Sequence, residues 1–257
     1  MLNYKNTLLL FGILFAITGV VDYYFDIPVW VYAILAGSLL SILFFGSYFI
    51  HSNFHIPVIC HGVSTKNEIA LTFDDGPEEN HTGKILDILK LNHVPATFFC
   101  IGSKVVKNHS LIKRMEAEGH LIGNHSYTHH FFFDLFTKNK MKKELEDTNQ
   151  IVEEVISKKM KFFRPPYGVT TPVLAKAIRE TGMLPVGWSV RSMDTVIKSE
   201  TKLVEKLSAD IKPGDVILLH DTARVTIDSL ELIISAIRKK GLNPVRLDHL
   251  LKMEAYG

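Results

Sequence analysis

Thr72-Phe73-Asp74-Asp75-Gly76-Pro77 sets two adjacent carboxylates between an apolar run and an abrupt turn. In residues 68–73, Ile69, Leu71 and Phe73 alternate with smaller partners, which is strand periodicity, and Gly76-Pro77 must end the strand. The acids therefore stand at a strand's exit. Neighbouring side chains on an extended chain point to opposite sides, so Asp74 and Asp75 can hold different duties in one pocket, one binding a metal and the other moving protons. Asp-Asp-Gly-Pro is also sound turn chemistry by itself. What the other strand ends carry must decide between the two.

Working outward, residues 96–101, 120–123, 161–164, 184–190, 216–219 and a weak 245–247 read as further short, nearly all-apolar strands. Between them 81–92, 104–118, 139–157, 172–181, 201–211 and 229–239 read as helices, with Ile85, Ile88 and Leu89 at three- and four-residue spacing. Gly119, Gly182 and Gly241 stand where left-handed caps belong, and Ser103 where an N-cap belongs. Apolar strands alternating with helices imply a parallel sheet covered by helices, and about seven such units predict an α/β fold of the distorted (β/α) barrel type. An open doubly wound sheet is the alternative. In both, reactive groups gather at the carboxyl ends of the strands.

The amino-terminal part is different. Residues 7–21 and 27–50 are apolar runs with Asp22 and Asp26 as the charges in the gap, the pattern of a membrane hairpin over 1–50. The second run can cross about 30 Å of hydrocarbon, and the first reaches the required length with Tyr23, Tyr24 and Phe25. A cleaved signal peptide is the competing reading of the first run, but Lys5 is its lone early cation and Thr18-Gly19-Val20 is a poor cleavage site. Tyr23, Tyr24, Trp30 and Tyr32 cluster at the connection, as aromatic rings do at an interface. Residues 51–66 read as a linker and 67–257 as the globular domain, for which a hydrophobic content of 47% is ample. With 29 basic against 27 acidic side chains, no positive excess points to nucleic acid. Cys60 and Cys100 lie too far apart to signal a zinc knuckle or a redox pair.

Four more strand ends carry chemistry. His125-Ser126-Tyr127-Thr128-His129 follows the third strand, and if it coils its two imidazoles share a face. Two histidines and a carboxylate make the ligand set of a catalytic divalent ion. Alone, the pair is weak in a chain with 12 histidines. Arg164-Pro165-Pro166-Tyr167-Gly168 ends the fourth strand as a rigid loop: Arg164 could orient a carboxylate and the Tyr167 amide could meet an oxyanion, although a Pro-rich turn with a solvated Arg has the same composition. Trp188 on the fifth strand could wall an apolar pocket, and Asp194 beyond it could hold His220 protonated. Leu218-Leu219-His220-Asp221 ends the sixth strand with a natural general acid. Each signal is modest, but all fall at the same end of successive strands.

Together, residues 72–77, 125–129, 164–168, Trp188 with Asp194, and Leu218 with His220 resemble the polysaccharide deacetylases of the NodB-homology type, carbohydrate esterase family 4. The resemblance covers roughly residues 66–221. It implies a distorted barrel and metal-dependent removal of acetyl groups from N-acetylated sugars such as those of peptidoglycan or chitin. Carried over residue by residue, it implies that Asp75, His125 and His129 hold one divalent ion, zinc first, with cobalt, nickel or manganese as alternatives. Asp74 would be the base that Arg164 orients, His220 the acid that Asp194 tunes, and the Tyr167 amide an oxyanion donor. Trp188 and Leu218 would line the acetyl-methyl pocket. The chain departs from the family in having Thr195 after Asp194, where many relatives carry an aromatic residue, and Asp221 competes as the partner of His220.

The leading expectation is a membrane-anchored carbohydrate N-deacetylase of a bacterial cytoplasmic membrane, with an N-acetylated glycan as its partner. A deacylase of a lipid-linked amino sugar keeps the chemistry, with membrane lipid as a second partner. A glycan-binding pseudoenzyme keeps only the barrel. Two true spans put both chain ends on one side, whereas cleavage of the first run would turn the domain outward.

Overall fold

The computed structural model describes residues 2–63 and 66–257, so residues 64 and 65 of the expected linker and the first residue of the expected hairpin lie outside the described residues. Two apolar helices, α1 (Tyr4–Phe25) and α2 (Val29–Tyr48), pack against each other across a three-residue connection. Asp22 fastens that turn: its Oδ1 accepts from the Ile27 N–H at 2.6 Å and its Oδ2 from the Tyr32 hydroxyl at 3.0 Å. Each helix is long and apolar enough to cross a membrane, with mean hydropathy of 2.0 and 2.1, and little of either is buried. Side chains such as Leu9, Val20 and Leu40 are left exposed along their length.

The segment after α2 is packed against the domain. Ile50, Phe54, Ile56 and Val58 are buried, and Ile50 and Phe54 occupy the space that side chains at Gly187 and Gly46 would need. The Tyr4 N–H donates to the Phe54 carbonyl at 3.0 Å, and the Thr170 N–H donates to the Ser47 carbonyl at 3.1 Å.

The domain runs β1 (Glu68–Asp74), α3 (Glu79–Leu91), β2 (Thr97–Cys100), α4 (Gly102–Val105), α5 (His109–Ala117), β3 (Leu121–Asn124), α6 (Lys138–Ile156), β4 (Phe162–Phe163), α7 (Pro172–Thr181), β5 (Leu184–Pro185), β6 (Val190–Arg191), α8 (Glu200–Asp210), β7 (Val216–His220), α9 (Arg224–Lys239), β8 (Asn243–Pro244) and α10 (Leu247–Leu251). All the strand pairings are parallel, in the order β5-β4-β3-β2-β1-β7-β6, with β8 paired to the start of β1. β5 and β6 are the two edges of this path, yet residues 186–189 are all that separate them in sequence. A flat sheet could not accommodate so short a connection, so the sheet curls into an incomplete barrel.

The period of two fixes what points inward. Ile69, Leu71 and Phe73 of β1 pack with Ile85, Leu89, Leu230 and Ile234 under the helices. Ala70 faces the interior layer with Phe99, Leu121, Phe162 and Val216. The same parity sends Thr72 and Asp74 into the barrel.

Four expectations need correction. The strand expected over 184–190 is two edge pieces, because its middle leaves the sheet at Gly187 and Trp188. The helix expected over 104–118 is broken into α4 and α5. Ser103 is not an N-cap but lies within α4, whose start is held by backbone bonds from Gly102 to the Ser126 carbonyl and from Ser103 to the Tyr127 carbonyl. The weak strand over 245–247 lies past β8, and Leu247 opens α10.

Candidate active site

Parallel register sets the two ends of the site side by side. Asp74 pairs with His220 across β1 and β7, and Asn124, just before His125, pairs with Cys100 on β2 and Phe163 on β4. The residues singled out in the sequence thus meet at the carboxyl end of the barrel. Asp74, Asp75, His125, His129, Tyr167, Trp188, Leu218 and His220 line a single cleft of about 210 Å³. A larger cavity of about 730 Å³ opens at the opposite, amino-terminal ends of the strands beside Glu68 and shares no residue with this cleft.

Asp75 lies just past the strand with φ of 77°, which breaks the strand's alternation, so both carboxylates face one cleft and approach the same His125 Nε2 instead of pointing to opposite sides. Its Oδ1 is 3.5 Å from Nε2 of His125 and 3.5 Å from Nε2 of His129. These three donor atoms all fall within 4.8 Å of one another. The stretch 125–129 does not coil as a helix; it turns sharply, with Ser126 and His129 at positive φ, and brings the rings to 4.7 Å. Buried Glu144 of α6 holds that turn, its Oε2 accepting from the Tyr127 N–H at 3.0 Å and the Thr128 N–H at 2.7 Å.

The donor set fits a divalent ion. Nδ1 of His125 donates to the Arg164 carbonyl at 2.8 Å, since a carbonyl can only accept, and this leaves the Nε2 lone pair facing Asp75. A separation of 3.5 Å is too long for a hydrogen bond but suits two ligands each about 2.0–2.2 Å from one tetrahedral ion. Burial tends to raise the Asp75 carboxyl, but the nearby imidazoles of His125, His129 and His220 outweigh it and hold the group well below the usual carboxylate range. Burial and the neighbouring His125 lower His129 to about 4, so the ring is neutral and able to ligate at ordinary pH.

Arg164 is fully buried and spends its guanidinium on fixed partners. Nη1 donates to Asp74 Oδ1 at 2.7 Å and to Thr72 Oγ1 at 2.7 Å, Nη2 donates to the Gly187 carbonyl at 2.7 Å, and the plane stacks 4.1 Å over Phe99. The solvated-Arg reading is thereby excluded. Asp74 has one oxygen fastened and the other, Oδ2, 3.8 Å from His125 Nε2.

Across the cleft, Asp194 and not Asp221 is the partner of His220, accepting from its ring Nδ1–H at 2.7 Å. The Thr226 hydroxyl donates to Asp194 at 2.6 Å. Burial alone lowers His220, but the hydrogen bond and charge of Asp194, with Asp74 and Asp75 beyond, raise it to about 9. Asp221 points the other way, accepting from the Thr82 hydroxyl at 2.6 Å and filling the space where a side chain at Gly76 would stand. Burial raises it to about 7.

Tyr167 has φ of 57°, and Gly168 follows at 72° with its Cα face against the Trp188 ring. The Tyr167 ring lies 4.8 Å from that of His129, and Trp188 and Leu218 are buried beside it. Thr72, quoted in the first motif but given no role there, and Phe99, Glu144 and Thr226, not singled out in the sequence, complete the arrangement. Thr72, at even parity with Asp74 on one strand, was the most accessible of them to inference; Glu144 and Thr226 are helix residues with no local signal.

Residues 61–186 match the family model described as polysaccharide deacetylase. The chain is 35% identical over 195 residues to a peptidoglycan-N-acetylglucosamine deacetylase of Bacillus cereus, covering 74% of this chain and 70% of that protein. It is 34% identical over 194 residues to the peptidoglycan-N-acetylmuramic acid deacetylase PdaA of Bacillus subtilis, covering 74% and 73%. Among solved structures it resembles the Bc1960 peptidoglycan N-acetylglucosamine deacetylase, with a TM-score of 0.73 and 33% identity over 77% of this chain and 94% of that one.

Proposed function

The chain belongs to the polysaccharide deacetylase family and is a carbohydrate N-deacetylase, and we propose that it hydrolyses the acetamido groups of peptidoglycan amino sugars while anchored in a membrane by α1 and α2. The observation that carries this reading is the register of β1 with β7. It sets Asp74 and His220 side by side at the ends of neighbouring strands, in the same cleft as the Asp75, His125 and His129 donor set.

Asp75, His125 and His129 would hold a divalent ion, zinc first, whose chemistry is to make water acidic and to polarise a carbonyl. Asp74, one oxygen pinned by Arg164, removes the proton of the attacking water through its other oxygen. The N–H of Tyr167, aimed by an unusual backbone turn, stabilises negative charge as it develops on the acetyl oxygen. Amide hydrolysis also needs a proton for a poor leaving group, and His220 supplies it to the departing amine. Trp188 and Leu218 give the acetyl methyl an apolar wall. Full-length chain in detergent should release acetate from N-acetylglucosamine oligomers or peptidoglycan when zinc is supplied. Absence of release across glycans, lipid-linked sugars and metals would count against the reading and favour a glycan-binding protein.

A further inference from the structure

Exposed apolar side chains border the cleft on one side. Phe131, Phe132 and Leu135 are 72%, 54% and 79% exposed. The Phe131 ring meets Tyr167 edge-on at 6.1 Å, and Tyr167 in turn lies against His129, so this patch is the rim of the site. Phe133, between them, is fully buried and pins the loop that displays them. Contiguous exposed apolar surface of this kind marks a docking face.

The charges beside it are unusual. α6 opens with Lys138, Lys140, Lys142 and Lys143 and has no acid in its first turn, although the amino end of a helix favours negative charge. Lys138 and Lys142 reach Glu180 and Lys143 reaches Asp147, while Lys140 lies 3.5 Å over the Phe136 ring. Aromatic side chains flanked by lysines are the composition of an element that lies in the interfacial layer of an anionic membrane.

The hairpin indicates which membrane. Phe44, Phe45, Tyr48 and Phe49 are exposed and stack on one another at the domain end of α2, as an aromatic belt does where a span leaves lipid. Ser47, inside that belt, accepts the N–H of Thr170, three residues beyond Tyr167. Ile50, immediately after it, is buried against Gly187 beside Trp188. Belt and rim are thus joined by short, packed connections.

We propose that Phe131, Phe132 and Leu135 dock into the interfacial layer of the membrane that α1 and α2 span, with Lys140 and Lys143 toward anionic headgroups. The cleft then opens at the bilayer surface and takes N-acetylated amino sugars carried close to it. This rests on the membrane anchorage proposed above but does not depend on turnover.

Full-length Leu135→Trp and, as control, Leu91→Trp, which is exposed at the far end of α3, are to be placed in nanodiscs with acyl-chain-brominated lipids, with and without phosphatidylglycerol. Against wild type, the added indole of Leu135→Trp is expected to be blue-shifted and quenched about twofold or more, and that of Leu91→Trp to be neither. Lys140→Gln with Lys143→Gln should weaken quenching only where phosphatidylglycerol is present. An unquenched, red-emitting indole at position 135 overturns the proposal. So does an equal fall in kcat/KM for a soluble N-acetylglucosamine oligomer and a polyprenyl-linked one when Phe131→Ser and Phe132→Ser are combined, since the patch would then be a sugar-stacking platform. Quenching without turnover on any substrate sinks the deacetylase reading and supports the docking.

Discussion

Asp194 grips His220 at two points, its Oδ1 accepting from the ring Nδ1–H and its Oδ2 from the backbone N–H of the same residue, each at 2.7 Å. One carboxylate thereby fixes the strand end, the ring and its tautomer.

The grip sets a pH dependence. With His220 raised to about 9, the imidazolium persists through neutral pH, and a reaction that needs it declines only as pH rises through that value. Asp194 is the principal upward influence, ahead of Asp74 and Asp75, and a divalent ion held by Asp75 would offset the share of those two. In Asp194→Asn, burial acts unopposed, and the alkaline limb of kcat/KM should move down by about two pH units. The pair also stabilises the fold below the ordinary histidine pKa and loses that contribution as pH rises through about 9. An unmoved alkaline limb in the variant would remove Asp194 from the mechanism.

The adjacent acids should separate cleanly. Asp75→Asn, like His125→Gln or His129→Gln, is expected to weaken zinc binding by about 100-fold or more, because each would remove one of the three proposed ligands. Asp74→Asn should keep zinc affinity within about tenfold of wild type yet abolish acetate release. Calorimetric zinc titration beside an acetate assay tells the two apart, and equal loss of zinc in both variants would refute the division of labour.

Arg164 makes a stability prediction. Its guanidinium and the Asp74 carboxylate are almost wholly buried, so Arg164→Met strands a charge and is expected to cost about 3–5 kcal/mol. The midpoint of denaturant unfolding for the solubilised chain measures this. A change below about 1 kcal/mol would mean that water reaches Asp74 freely.

Gly168 tests the loop that aims the Tyr167 amide. A Cβ there would fall 2.4 Å from the Trp188 ring, on a backbone with φ of 72°. Gly168→Ala should destabilise by about 1–3 kcal/mol and lower kcat more than it raises KM. A wild-type kcat would detach the Tyr167 amide from the reaction.

Much of this was legible in short stretches. The period of two in residues 68–74, the Gly-Pro stop and the recurrence of ionisable groups after apolar runs are local signals, and they located Asp74, Asp75, His125, His129, Arg164 and His220. What stayed hidden depends on three-dimensional closure. Nothing local says that 184–191 splits into the two edges of one curled sheet, because the break is imposed by closing the barrel. Glu144 looks like any helix acid until the turn at 127–128 folds onto it. Asp194 was read as the partner of His220 with Asp221 as its competitor, and the choice turned on which way the strand end faces: Asp194 accepts from the His220 ring, while Asp221 points to Thr82.

The pairing of β1 with β7 also governs when the protein can first act. Asp74 and His220 come from opposite halves of the chain, and β7 lies between β1 and β6 in the sheet. A nascent chain that has emitted both apolar helices and both acids still lacks the strand that carries His220, and such long-range parallel pairing forms late. The cleft is therefore incomplete throughout most of the chain's synthesis, and both of its facing groups are in place only once β7 has joined the sheet.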